Sequence, residues 1–324
     1  MEDVTPKWLP RVLVIGPGGV KGLKTLGFLA TIEDSVLLNY IDTYCGVSVG
    51  AVISLLMVAG YTIREIIGQA ILLDIFNEIE PFDFHMVSKN RGLISTEPAR
   101  RLLTNKLIEK FGKVPSLYHL YMITGKAFIA VTLNSTDEKA EILTPFSHPT
   151  MSAIDAVIFS MNIPFLFYQL IYDGKIYVDG AFANPYPVDY FDDGQTNILG
   201  IFMKNKEDDI IIQSKNKILH KLDDSENLST FGDYFIKIIQ SLINQKYNDN
   251  LRNSSDKCRH VCLAVTQIST KVDVKDKAIM IVEGFNEGKE FLKQLDHEYR
   301  KDCNKKQYYQ YPDYYNNPDF QAQI

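Results

Sequence analysis

Apolar residues first gather at 11–15 (RVLVI), a run short enough for a buried strand. The glycine-rich stretch GPGGVKG follows at 16–22, and then Leu26, Phe28, Leu29 and Ile32 recur with helical spacing. The pattern repeats at once: a second strand is expected near 40–46 and a buried helix over 49–59. Strand–turn–helix twice over predicts a parallel sheet with right-handed crossovers. Residues 43–63 carry no charge and are long enough to span a bilayer. Gly46, Gly50 and Gly60 interrupt them, however, and a strand running into a buried helix accounts for the same run.

Amphipathic helices are expected over 63–76 and from Thr96-Glu97-Pro98 to about 110, where Thr, Glu and Pro make a good helix start. Strands are expected at 127–133 and 141–144, and a helix at 152–160 that a region ending in Pro164 closes. Residues 171–177 read as a hairpin turning at Asp173-Gly174. A strand at 198–203 precedes a polar stretch, 205–224, that reads as loop. Phe231, Tyr234, Phe235, Ile238, Ile239, Leu242 and Ile243 lie on one helical face, expected to be core. A late strand at 258–265 and a late helix at 275–295 follow, and an aromatic but polar tail ends the chain. With no internal repeat and no clean linker, the expected organisation is an N-terminal extension over 1–10, one domain over 11–298, and a tail over 299–324.

Composition narrows the function classes. The chain has 324 residues, 23% of them charged, and a net charge of −6. That charge argues against a broad electrostatic grip on nucleic acid or on anionic lipid, so any membrane contact should be apolar. The four cysteines form no C-x-x-C pair, which fits a reducing compartment. Cys258, His260 and Cys262 with Cys303 match no common zinc spacing. The acidic start lacks an apolar h-region, so no signal peptide is expected and the location is read as cytoplasmic.

The chemistry begins at YCGVSVGA, 44–51, a G-x-S-x-G pattern centred on Ser48 and flanked by Gly46 and Gly50. Strand-like residues precede it and helical ones follow, the context of a nucleophile elbow. That placement exposes the hydroxyl at a positive helix N-terminus. The stretch at 16–22 could supply backbone N–H groups to an oxyanion. Its spacing fits neither a P-loop, since Gly22-Leu23-Lys24-Thr25 has the wrong offset, nor G-x-G-x-x-G, since Lys21 precedes Gly22 by one residue. A serine needs a base. None of the six histidines sits among turn residues that would hold it at a site. Two Asp-Gly pairs compete: Asp173-Gly174 suits a hairpin tip, whereas Asp179-Gly180 leaves the returning strand and meets an Asn/Pro-rich turn at Asn184-Pro185.

These residues together resemble the patatin-like phospholipases. The resemblance is carried by Gly18-Gly19-Val20-Lys21-Gly22, by Gly46 to Gly50, by the helix–proline segment 156–165 (AVIFSMNIPF), and by Asp179, Gly180 and Asn184. Glu283-Gly284-Phe285 resembles the family's late helix, so the likeness runs over about 11–295. The resemblance implies a three-layer α/β/α fold with a mostly parallel sheet. It also implies a lipid acyl hydrolase with a Ser48–Asp179 dyad, and no cofactor or catalytic metal. Gly18, Gly19 and Val20 would form the oxyanion hole, supported by Gly16, Lys21 and Gly22. The implied partner is a phospholipid or other acyl lipid, met in transient contact with a membrane. Pro17 stands where the family usually has glycine and has no N–H to give. Two rivals remain at this level: an α/β-hydrolase triad using His220, His260 or His297, and a lipid-binding protein without activity.

Overall fold

The computed structural model describes residues 8–68, 89–205, 231–265 and 274–302. Its main sheet has eight strands. β1 (Val12–Ile15), β2 (Thr43–Val47) and β4 (Ala127–Asn134) lie parallel, and β9 (Ile198–Asn205) and β10 (Cys258–Val265) extend the parallel set beyond β1. β8 (Lys175–Asp179) and β5 (Lys139–Leu143) run antiparallel to β4, and β7 (Leu170–Tyr172) pairs with β8 at the edge. A separate parallel pair joins β3 (Gly92–Ile94) to β6 (Phe165–Phe167).

Side chains alternate across the strands, so each strand feeds two cores. Leu13, Ile15, Tyr44, Phe128, Leu199 and Leu263 enter the larger one. There they meet α1 (Gly22–Ile32), α2 (Val49–Val58), α3 (Ile63–Gly68), α4 (Glu97–Phe111), α5 (Leu117–Thr124) and α6 (Ala153–Ser160). Val12, Val14, Cys45, Val47, Ile129 and Val131 face the other side, where Tyr186, Val188 and α7 (Phe231–Asn253) cover them. Strands buried on both faces read as continuous apolar runs. This mixed α/β architecture is the one the sequence pattern predicts, and the charge-free 43–63 run is β2 passing into the buried α2. Among the described residues, no helix is long and apolar enough to cross a membrane.

The last helix, α8 (Val274–Asp302), packs tightly along α1 and continues past residue 298. A Cβ on Gly27 would stand 2.0 Å from the Ile281 carbonyl oxygen, and one on Gly284 2.0 Å from that of Lys24. The backbones can approach so closely only because both residues are glycine. Lys24 is fully buried there; its ammonium donates to the Ala264 carbonyl and pairs with Glu283 at 3.0 Å and Glu287 at 2.7 Å.

One expectation needs correction. The helix from residue 231 runs on to Asn253, and its apolar stripe is not all core: Ile238 and Leu242 are exposed. The buried face is instead that of Ile243, Tyr247 and Leu251. Asn250 fixes this rotation by donating to the Tyr186 carbonyl at 2.6 Å and to Asn184 Oδ1 at 3.1 Å. The helix expected over 63–76 is described only to Gly68, and residues 69–76 lie outside the described residues, as do the polar stretch beyond Asn205 and most of the tail.

Candidate active site

Ser48 sits between β2 and α2 with φ 57° and ψ −124°. A positive φ is unfavourable for a side-chain-bearing residue and stores on the order of 1–3 kcal/mol of strain. The surrounding packing enforces it. A Cβ on Gly46 would lie 2.2 Å from the Gly50 carbonyl oxygen, and one on Gly50 would lie 2.2 Å from that of Ile15. Both glycines of the motif are therefore required by sterics: the turn folds back on itself and packs against β1.

β4 brings the second residue to the first. Val131 pairs with Val47 on β2 and with Ile142 on β5, whereas the next residue, Thr132, pairs with Asp179 on β8 and with Glu141 on β5. β2 and β8 thus share one edge of β4. β2 leaves that edge at Val47 to enter the elbow, and β8, arriving from the opposite direction, occupies it up to Asp179. Gly180 must be glycine for Asp179 to come this close, since a Cβ there would stand 2.1 Å from the Val131 carbonyl oxygen.

The Asp179 carboxylate accepts a hydrogen bond from the Ala181 N–H at 2.8 Å, and the Ser48 hydroxyl lies beside it. Burial pushes its pKa up to about 7, and these two polar neighbours only partly counter that rise. Ser48 itself is 3% exposed. The expectation of an exposed hydroxyl is therefore wrong: α6 and the segment after it cover the elbow. Ser160, at the end of α6, accepts the Ser48 N–H at 3.0 Å through its own hydroxyl. The Asn162 carbonyl accepts the Asp179 N–H at 2.9 Å, and its amide donates to the Tyr177 carbonyl at 2.9 Å. The helix–proline segment thus holds both residues by the backbone. Its pattern was visible in the sequence, but nothing there assigned it this task.

Gly16 closes β1 and donates to the Ile201 carbonyl at 2.9 Å. Gly18 is extended, and Gly19 turns to φ 54°, opening a short 3-10 turn, Gly19–Lys21, that leads into α1 at Gly22. The Lys21 N–H closes that turn on the Gly18 carbonyl at 3.0 Å. As the opening positions of a helical turn, Gly18, Gly19 and Val20 have N–H groups without an intrahelical acceptor. Gly18, Gly19, Val20 and Lys21 are half-buried. Asn184 serves the scaffold: it accepts the Tyr186 N–H at 3.2 Å and donates to Asp189 at 2.9 Å.

Neither His260 nor His297 is hydrogen-bonded to Ser48 or Asp179. His260 is held between the Tyr186 hydroxyl on Nδ1 and Ser254 on Nε2, each at 2.8 Å. His297 is exposed on α8, and His220 lies outside the described residues. On β10, Cys258 is buried and Cys262 exposed, and Cys303 lies outside the described residues. Tyr247, which no sequence pattern singled out, is buried with its hydroxyl beside Gly16.

A strained strand–serine–helix elbow, facing a buried aspartate on a mixed α/β sheet, defines a hydrolase-like class of site. The family model described as patatin-like phospholipase matches residues 13–192, and the chain belongs to that family. The chain is 28% identical over 221 residues to an uncharacterized protein of Acanthamoeba polyphaga mimivirus, covering 64% of this chain and 72% of that one. It is 28% identical over 190 residues to the probable lipid hydrolase 463L of Invertebrate iridescent virus 6, covering 58% and 64%. Among solved structures, VipD from Legionella pneumophila aligns with a TM-score of 0.50 at 14% identity, over 90% of this chain and 67% of that one. The type III effector ExoU of Pseudomonas aeruginosa also gives 0.50, at 11% identity, over 90% and 54%. These two likenesses are of fold.

Proposed function

We propose that this protein is a lipid acyl hydrolase of the phospholipase A type, working through a Ser48–Asp179 dyad and an acyl-enzyme. Family membership and the probable lipid hydrolase among its relatives support lipid ester hydrolysis. The observation that carries the mechanism is the desolvated Asp179 carboxylate beside the hydroxyl of a strained elbow serine. A carboxylate with an ordinary pKa near 4 is a weak base for a hydroxyl. One raised to about 7 is well matched to work at neutral pH.

Ser48 Oγ attacks the ester carbonyl carbon as its proton passes to Asp179. The oxyanion is received by the N–H groups of Gly18, Gly19 and Val20, with Pro17 stiffening the approach. The N-terminus of α2 adds its dipole at Ser48. The ester C–O bond then breaks, and Asp179 returns its proton to the leaving alcohol. Water attacks the acyl-enzyme with Asp179 again as base, restoring Ser48. The chain segment 11–298 is the catalytic domain in this reading. Its substrate is an acyl lipid taken from a membrane surface in transient contact. With a net charge of −6, that contact depends on apolar rather than electrostatic attraction.

The test is labelling by a fluorophosphonate together with release of fatty acid from phospholipid vesicles. The parent protein should do both. Ser48→Ala should abolish both while its melting midpoint stays close to the parent's. A folded Ser48→Ala protein that still hydrolyses lipid at a substantial rate would refute the nucleophile assignment.

A further inference from the structure

We propose that the Tyr247 hydroxyl is a third polar group of this site and donates a hydrogen bond to the leaving-group oxygen of the ester. The inference rests on the Ser48–Asp179 reading above and adds a residue outside the 13–192 segment that the family model matches.

Tyr247 lies on α7, and its side chain is 2% exposed, packed edge-on to Tyr186 and against Phe202. No group among the described residues is hydrogen-bonded to the Tyr247 hydroxyl. Its position is nevertheless well defined. A Cβ placed on Gly16 would be 3.1 Å from this oxygen and 3.3 Å from the Pro185 carbonyl oxygen. The hydroxyl therefore occupies the space between the start of the glycine loop and the turn that follows Asp179. Burial holds the phenol well above its usual pKa, with smaller contributions from Cys262 and then from Asp179. Tyr247 is thus a neutral donor throughout the working range. One turn further along the same helix, Asn250 is tied to Asn184 and to the Tyr186 carbonyl, which fixes the helix against the Asp179 loop.

This placement selects the acceptor. The carbonyl oxygen of a bound ester goes to the N–H groups of Gly18, Gly19 and Val20. The leaving oxygen must face Asp179, because that carboxyl returns the proton to it. Tyr247 lies between Gly16 and the Pro185 carbonyl of the turn that follows Asp179, within reach of both groups. It keeps its own proton throughout: the ester C–O bond breaks, the proton on Asp179 moves to the departing oxygen, and the phenol stabilises the charge that builds there before the transfer is complete. Losing one such preorganised donor costs on the order of tenfold to a thousandfold in rate.

The test compares two leaving groups in Tyr247→Phe, which retains the ring. Rates are expressed per serine labelled by a fluorophosphonate, so that any loss of folded protein cancels. Hydrolysis of an alkyl ester, whose alkoxide needs help to leave, should fall about 30-fold. The acylation burst with a p-nitrophenyl ester, whose phenolate leaves unaided, should stay within about threefold of the parent. The control is Tyr186→Phe, which removes the hydroxyl bound to His260 in the same aromatic cluster and should leave the ratio of the two rates unchanged. An alkyl-ester rate within threefold of the parent would overturn the proposal. So would an equal loss on both esters, which marks a packing role. A parent protein that takes up no fluorophosphonate at Ser48 would instead overturn the dyad reading, and this assignment with it.

Discussion

Two charged side chains are buried in this fold, and their surroundings are opposite. Lys24, three residues after Lys21, is fully enclosed, with Glu283, Glu287 and the Ala264 carbonyl all on its ammonium. Asp179 is as deeply enclosed, yet among the described residues no cation pairs with it; it has the Ala181 N–H and the neighbouring Ser48 hydroxyl. Partners compensate the first charge where it stands, and it fastens α8 to α1. The second is left poorly compensated, and its affinity for a proton rises accordingly. A buried charge that the fold satisfies holds structure together; one that it leaves wanting is available for chemistry.

Removing each charge should therefore act in opposite directions. Asp179→Asn should lower turnover by about a thousandfold, the loss of a general base. It should also stabilise the fold at pH 8. The folded pKa lies above the unfolded value, so the stability due to protonated Asp179 is complete below about pH 4 and lost as pH rises through about 7. An amide does not incur that loss, and three pKa units set a ceiling of roughly 4 kcal/mol on the gain. Denaturant melts of the two proteins at pH 8 measure it; a variant both inactive and less stable would undo the contrast.

Lys24→Met should do the reverse in stability. It removes the ammonium from Glu283 and Glu287, each 36% exposed, and from the Ala264 carbonyl, and should cost on the order of 1–3 kcal/mol, read by the same melts. Turnover per labelled serine should change little at temperatures where the variant is folded. A loss below about 1 kcal/mol would show the clamp to be ornamental.

The uncompensated carboxylate should also be visible in the parent's pH profile. Asp179 must be ionised to accept the Ser48 proton, so kcat/KM should rise with pH and reach half its plateau near pH 7. A half-point near 4 would mean that the carboxylate is solvated in solution. The smallest effect is expected at the other Asp-Gly pair. Asp173 sits at the β7–β8 turn with φ 49°, a conformation that asparagine also tolerates, so Asp173→Asn should leave turnover within about twofold and stability within about 0.5 kcal/mol.

The legible part of this protein is local. Period and turn chemistry at 11–60 predict β1, α1, β2 and α2, because each is set by a few consecutive residues. The Asp173-Gly174 hairpin follows from positive φ at both turn residues. Gly46, Ser48 and Gly50 also declare themselves, since one tight turn needs all three within five positions. What the sequence could not carry was any relation across chain distance. That Val131 and Thr132 are the adjacent residues where β2 hands its edge of β4 to β8 is a fact of register, and it is what brings Ser48 against Asp179. The roles of Ser160 and Asn162 follow from the same convergence. The rotation of α7 was misread for a related reason: its apolar residues form a stripe in sequence, but Asn250 and the 184–189 turn choose which face is buried. The sequence determined the elements and the turn that strains Ser48, because those depend on neighbours along the chain. Tertiary structure alone decided the proton affinity of Asp179, because desolvation is a property of everything packed around a carboxylate.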